Sequence, residues 1–130
     1  MKDKCLQLGH DYAIQRDQAI AEKVAAMFTE DATLQLPLGT ANGREEIAAH
    51  INATKEKRFS HHITSQSVEL LNEETAKGIH YAIVNTVLPI KGEEHQVLVT
   101  GHYNDEYDIS IGECLIKNRE FKIHFINKST

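Results

Sequence analysis

Histidine and tyrosine side chains stand where they could carry acid–base chemistry. His61 and His62 are adjacent in a β-rich run, so they must point to opposite faces and only one can enter an interior pocket. Tyr12 lies on an apolar stripe, and an inward phenol needs a hydrogen-bond partner, for which a ligand carbonyl is one candidate. Because a histidine acts as both acid and base near neutral pH, this pattern indicates proton transfer.

Two aspartates have a functional and a structural interpretation each. Asp105 shares a strand face with Tyr103 and Tyr107, and burial among aromatic rings would raise the pKa of its carboxyl, as a general acid or base requires. Its alternative role is a structural hydrogen bond to a tyrosine or to Arg119, which itself could pair with a carboxylate on the sheet exterior. Asp17 is placed as the N-cap of a second helix, with a catalytic role as the alternative.

Other kinds of chemistry lack their motifs. Four histidines are distributed over three predicted strands, where cross-strand clusters can bind zinc: His80, His95, His102 and His124. No H-E-x-x-H, C-x-x-C, facial-triad or G-x-S-x-G spacing is present, so we expect no metal site, no cofactor and no serine nucleophile. Cys5 and Cys114 are too few for a disulfide framework, and we expect inert, reduced thiols in a cytoplasmic protein.

The sequence pattern predicts helices in the first part of the chain and strands in the second, and these elements must position the residues named above. Apolar residues at helical spacing predict a first helix through Cys5, Leu8 and Tyr12 and a second that follows Asp17 and ends at Glu30-Asp31. A short strand halted by Pro37 follows, and a third helix begins at Asn42. The remaining β-rich runs cover roughly 60–71, 75–89, 95–108 and 114–126. This order predicts an α+β fold with a mostly antiparallel sheet.

Length and charge bound the function classes. The 130 residues fit one domain, 1–130, with a core large enough for a pocket. A net charge of −5 and the lack of a basic patch exclude nucleic acid and disfavour an anionic membrane surface. No apolar run approaches the ~20 residues of a membrane span, and the start lacks the apolar core of a signal peptide.

Several segments resemble the SnoaL-like proteins of the nuclear transport factor 2-like superfamily. In order along the chain they are Met27–Thr33, Gly43–Ile47 (G-R-E-E-I), His61–Ser65 (H-H-I-T-S), Gly101–Tyr107 (G-H-Y-N-D-E-Y) and Gly112–Arg119, where Cys114 replaces the usual tryptophan. The resemblance as a whole extends over nearly the whole chain. The resemblance implies a cone-shaped α+β barrel wrapped around three N-terminal helices, with one deep apolar cavity and a homodimer formed through the sheet.

The resemblance also implies which branch of the superfamily fits. Leu36 stands where ketosteroid isomerases carry their proton-shuttling aspartate, so that chemistry is expected to be absent. Tyr12 followed five residues later by Asp17 repeats the spacing of the bile-acid dehydratase, and His61 falls where the dehydratase branch places its cavity histidine. Val84 stands near the position of that enzyme's second acid, which argues against the same activity.

We therefore expect a protein that binds a small molecule in an interior cavity, and two further hypotheses stay open. If it is catalytic, a cofactor-free lyase or isomerase step on a cyclic, polyketide-like or steroid-like molecule would use Tyr12, Asp17, His61 and Asp105. Contacts to the ligand are expected from Phe28, Leu36, Tyr81, Tyr103 and Arg119. The alternatives are a non-catalytic ligand-binding domain and a partner-binding domain that uses the apolar strand 79–88, a surface that we assign instead to the homodimer.

Overall fold

The computed structural model describes residues 1–128, which form three helices and a six-stranded sheet. The helices are α1 (Lys2–Asp17), α2 (Ala21–Ala25) and α3 (Gly43–Ala53). The strands are β1 (Phe28–Leu36), β2 (Gly39–Asn42), β3 (Ser60–Leu70), β4 (Thr75–Ile90), β5 (Glu93–Asp108) and β6 (Leu115–Lys128). Within this range no helix has the length and apolar character needed to cross a membrane.

The sheet has the order β2-β1-β6-β5-β4-β3 and is curved but not closed, because the edge strands β2 and β3 do not pair. Only β1 and β6 run parallel; the other neighbours are antiparallel. The predicted α+β class with a mostly antiparallel sheet around N-terminal helices is confirmed. The long strands β4, β5 and β6 form a broad inner face together with their neighbour β3, and side chains from all four strands lie on it.

The boundary between the first two helices differs from the sequence-based expectation. Asp17 is the last residue of α1 and does not cap a second helix. Helix α2 is short, and its N-cap is Ile20. The break between them falls at Ala19, whose positive φ of 55° ends the helical path. Phe28 lies outside the helices and opens β1, which begins earlier than predicted. The buried residues of β1 are Phe28, Ala32 and Leu34.

Helix α1 lies across the inner side of β3 with one buried face. That face continues the predicted stripe by a further turn and consists of Cys5, Leu8, Gly9, Tyr12, Ala13 and Arg16. Gly9 permits the close approach, since a Cβ there would come within 2.5 Å of both Gln66 and His80. The stripe therefore directs Tyr12 and Arg16, one turn apart, toward the interior.

A disulfide joins Cys5 of α1 to Cys114 just before β6, so the expectation of two reduced thiols is wrong. The Cα atoms lie 5.4 Å apart, within the usual range for a disulfide, although the residues are 109 positions apart in sequence. A pairing of this kind depends on where α1 meets the β5–β6 connection, which spacing in the sequence does not reveal. Disulfides are typical of oxidising compartments, so the cysteines no longer favour a cytosolic location.

Candidate active site

A histidine–aspartate pair is formed where the end of α1 meets the start of β3. Both carboxylate oxygens of Asp17 accept hydrogen bonds from the backbone N–H of His61, at 3.0 and 3.2 Å. The Nδ1 atom of the His61 ring lies 2.5 Å from Oδ1 of the same carboxylate. The His61 side chain is 6% exposed and that of Asp17 is 28% exposed. Asp17 thus holds His61 by its backbone and by its ring, which fixes the orientation of the imidazole.

Aromatic contacts hold the His61 ring from two further directions. Phe59 stacks on it with ring centroids 5.6 Å apart. Tyr12 meets it edge-on at 6.4 Å. Since Nδ1 is used by Asp17, Nε2 is the ring nitrogen left for another molecule. His62, the next residue, is exposed and its Nε2 bonds the hydroxyl of Ser60 at 2.9 Å, so the two histidines point to opposite faces of β3 as expected.

A cavity of about 260 Å³ lies between the helices and the inner face of the sheet. One cross-strand row forms part of its wall: His61 on β3, Val84 on β4, Val99 on β5 and Ile126 on β6. Leu36 and Leu88 add to an apolar lining. The polar lining residues are Tyr12, Arg16, His50, Thr54, Lys57, His61, Thr86 and Tyr103. The structure therefore brings Tyr12, His61, Leu36 and Tyr103 to one cavity.

Arg119 and Tyr12 form a stack beneath the cavity. The guanidinium carbon of Arg119 lies 4.4 Å from the ring centroid of Tyr12 and 4.3 Å from that of Tyr103. Arg119 is completely buried and does not line the cavity. The structure thus corrects both sequence-based positions for it, since it neither lines the cavity nor lies on the sheet exterior. Its guanidinium instead makes cation–π contacts with the two phenol rings.

Asp105 pairs with the same arginine and does not line the cavity. Its two carboxylate oxygens accept hydrogen bonds from Nε and Nη2 of Arg119 at 2.8 and 2.7 Å, and Tyr107 donates a third at 2.7 Å. His80 Nε2 lies 3.2 Å from Oδ2. Burial raises the pKa of the Asp105 carboxyl, but the charge of Arg119 and the hydrogen bonds from His80 and Arg119 outweigh burial and hold it at about 2.

The expectation of a raised Asp105 pKa is therefore wrong, and the structural alternative describes its surroundings. A carboxylate with two bonds from a guanidinium and one from a phenol has few free lone pairs with which to accept a proton. The side chains of Asp105 and Arg119 are both 0% exposed. Asp105 fixes Arg119, which in turn supports Tyr12 and Tyr103, so it acts on the site only through these neighbours.

Two of the expected ligand contacts lie elsewhere. Phe28 is completely buried and packs edge-on against Tyr12 at 6.4 Å, behind the cavity wall. Tyr81 is 42% exposed on the outer face of β4, where its ring stacks on His102. Because side chains alternate along a strand, the burial of His80 and Ala82 on either side of Tyr81 directs Tyr81 outward. Neither residue lines the cavity.

The sequence analysis missed the polar residues at the helix end of the cavity, namely Arg16, His50 and Lys57. Arg16 had a signal: it continues the Cys5–Leu8–Tyr12 stripe by one turn, and a cation on an otherwise buried face is unusual. His50 lies one turn after the buried Ile47 on α3. Lys57, in the loop before β3, follows no pattern that a sequence could show.

Comparison with known proteins assigns the family. Residues 2–120 match the SnoaL-like domain. The chain belongs to the SnoaL-like domain family. A search among curated proteins finds no significant match.

Solved structures of this fold superpose over nearly the whole chain of this SnoaL-like protein. Hexachlorocyclohexane dehydrochlorinase LinA-type3 from Novosphingobium barchaimii has a TM-score of 0.86 at 17% identity, covering 98% of this chain and 89% of its own. A putative scytalone dehydratase from Novosphingobium aromaticivorans has a TM-score of 0.79 at 21% identity, covering 100% and 93%. An NTF2-like protein with a cystatin-like fold from the latter organism has a TM-score of 0.73 at 19% identity, covering 93% and 80%. At these identities the likeness establishes the fold.

Proposed function

We propose that this SnoaL-like protein binds a small, largely apolar molecule in its cavity and catalyses a lyase or isomerase step by acid–base chemistry. The observation that carries the proposal is the His61–Asp17 pair. The ring is held at 2.5 Å by the carboxylate, is 6% exposed, and lines a cavity of about 260 Å³. A base that is oriented by a carboxylate in a mostly apolar cavity has the arrangement that proton abstraction requires.

Asp17 selects the tautomer in which His61 can act as a base. A neutral imidazole that donates its Nδ1–H to the carboxylate carries its lone pair on Nε2. After Nε2 has taken a proton, the same carboxylate stabilises the imidazolium. Asp17 is therefore a positioning residue, and His61 is the group that touches the substrate.

The chemistry follows from where the proton and electrons go. His61 Nε2 takes a proton from a carbon beside a substrate carbonyl, and Tyr12 donates a hydrogen bond to the oxygen on which charge develops. In an elimination the C–H electron pair forms a carbon–carbon double bond and the leaving group departs with its bonding electrons. A departing hydroxide takes the proton from the imidazolium and leaves as water. In an isomerisation the imidazolium returns the proton to a different carbon.

Two further observations support an elimination. Among the similar structures, one is named a dehydrochlorinase and another a putative dehydratase, and both names denote eliminations. Burial raises the pKa of Tyr103 well above its usual range, so this second phenol of the cavity stays protonated and able to donate a hydrogen bond. A recognition-only cavity would need no such convergence of a base and phenols on one apolar space.

Proton abstraction can be tested before the natural substrate is identified. Cyclic ketones and their β-hydroxy derivatives are incubated with the protein in D₂O, and NMR follows deuterium entry beside the carbonyl and loss of water. His61→Gln should lower the rate constant by about 10²- to 10⁴-fold, since it removes the general base. His62→Gln, the matched control on the opposite face of β3, should change it by less than about twofold.

The outcomes separate the two candidate functions. A His61→Gln variant that keeps the full rate contradicts the mechanism. Ketones that bind, as judged by NMR shift changes, but exchange no proton and lose no water favour the non-catalytic ligand-binding domain. That result would leave the cavity with a recognition role and His61 with a structural one.

A further inference from the structure

Arg16 is a buried cation without a counter-ion. The residue is 4% exposed and lines the cavity. Its Nη1 is fully buried and has no hydrogen-bond partner, and Arg16 takes part in no ion pair among residues 1–128. Its guanidinium carbon lies 4.4 Å from the ring centroid of Phe59. A buried charge that lacks a partner is costly to the folded protein, so its presence calls for an explanation.

The surroundings of Arg16 are cationic rather than balanced. His50 and Lys57 line the same cavity, and Nε2 of His50 is also buried without a hydrogen-bond partner. No aspartate or glutamate of the described chain belongs to the lining. The acid next to Arg16 in sequence, Asp17, is bonded to His61. Two unsatisfied groups, a guanidinium and an imidazole, therefore face a cavity that offers them no acceptor with a negative charge.

We propose that this end of the cavity binds the carboxylate of a substrate, so that the molecule taken is a hydrophobic carboxylic acid. The inference rests on the proposed function, because it names the class of molecule that the same cavity would take. A guanidinium presents its N–H groups in a fork that matches the two oxygens of a carboxylate. The apolar wall formed by Leu36, Leu88, Val84 and Val99 would enclose the hydrocarbon body.

The anion site and the base are close enough to act on one small molecule. Phe59 connects them, since it contacts the guanidinium of Arg16 at 4.4 Å and stacks on the ring of His61 at 5.6 Å. A carboxylate bound at Arg16 would hold the substrate at one end while its carbon skeleton lies along the wall that contains His61. Fixing one end of a substrate in this way is how a remote charged group places a reacting carbon against a base.

The electrostatics of His50 reflect its burial beside two cations. Burial lowers the pKa of His50, and the nearby charges of Arg16 and Lys57 lower it further. The ring is therefore neutral near pH 7, and a bound carboxylate would oppose the effect of both cations. The imidazole Nε2 of His50 is buried without a hydrogen-bond partner, so it is available to donate to or accept from a bound molecule.

Matched carboxylate and amide probes test the proposal. Cinnamate is compared with cinnamamide and 2-naphthoate with 2-naphthamide by isothermal titration calorimetry, since each pair has the same hydrocarbon body. The wild-type protein should bind the carboxylates about 10- to 100-fold more tightly, as expected for a hydrogen bond to a charged group. Arg16→Gln should bring the two dissociation constants of each pair together. Arg58→Gln, an exposed neighbour with the same change of charge, should retain the preference.

A measurement without ligand separates this role from a structural one. Because Arg16 has no counter-ion, Arg16→Gln should leave the midpoint of urea unfolding unchanged or raise it. A lower midpoint would assign Arg16 to stabilising the fold and would overturn the proposal. Amides that bind as tightly as their carboxylates would overturn it as well, while leaving the cavity function intact. If neither member of either pair binds, the inference is contradicted, whereas the proposed function is judged separately by the proton exchange of the ketones.

Discussion

His61 and His80 each lie beside an aspartate, and the two pairs differ in what surrounds the ring. His61 bonds Asp17 through Nδ1 at the wall of the cavity. His80 is completely buried, with Nδ1 2.6 Å from Gln66 and Nε2 2.5 Å from the hydroxyl of Tyr107 and 3.2 Å from Asp105. The first ring has one nitrogen, Nε2, without a hydrogen-bond partner among residues 1–128, whereas both nitrogens of the second are bonded within the protein.

The difference shows that a histidine next to a carboxylate is not by itself a base. In the buried network around Asp105, every partner restrains another: Arg119 pairs with the carboxylate and lies under Tyr12 and Tyr103. Gly78 leaves room for Tyr107, since a Cβ there would lie 2.8 Å from the phenol oxygen. Most polar atoms of this network are hydrogen-bonded within the protein, although Nη1 of Arg119 is buried without a partner among residues 1–128. Such a network favours rigidity, while a pair at a cavity wall with a free nitrogen can do chemistry.

The largest difference between the two pairs should appear in stability. Asp105→Asn leaves the buried Arg119 without its counter-ion and should lower the free energy of unfolding by about 3–5 kcal/mol. Asp17→Asn, at a partly exposed carboxylate, should lower it by about 1 kcal/mol. Urea unfolding followed by circular dichroism measures both. Equal losses would contradict the division into a structural and a functional pair.

The disulfide should contribute the next largest effect and act on one region alone. It ties the start of α1 to the segment before β6, whereas Asp17 stands at the opposite end of that helix. Replacing Cys5 and Cys114 together with alanine should lower the free energy of unfolding by about 2–5 kcal/mol. The proton-exchange activity of the folded variant should be retained. Two titratable thiols in the unfolded, non-reduced wild-type protein would contradict the disulfide.

A smaller effect should be visible in the response to acid. The pKa of Asp105 is about 2 in the folded protein, below its ordinary value of 3.8. A carboxyl whose pKa is lower in the folded than in the unfolded protein stabilises the fold at every pH above the unfolded pKa. That contribution, here about 2 kcal/mol, is lost as the pH falls from about 4 to about 2. Carbon-13 NMR of the Asp105 carboxyl should show it ionised at pH 3. A midpoint near 4 would contradict the ion pair.

The candidate site was predictable where local pattern decides, and not where packing decides. Tyr12 follows from a helical stripe, and the opposite faces of His61 and His62 follow from strand geometry. The position of Arg119 did not follow, because its strand register determines whether it meets Asp105 inside the sheet or a carboxylate outside. The burial of Asp105 was foreseen, but the direction of its pKa shift depends on a partner 14 residues away.

The α+β class, the order of the helices and of the strands other than β2, and the residue types available for proton transfer follow from the sequence alone, because periodicity and turn residues act over a few neighbouring positions. Three contacts arise only when the chain folds: Asp17 bonds a ring 44 residues away, Cys5 joins Cys114, and Arg16 lies beside Phe59 without an ion-pair partner among residues 1–128. Such contacts depend on how α1 packs against β3 and on the register of the strands. A register shift of one residue would turn each side chain of a strand to the other face of the sheet.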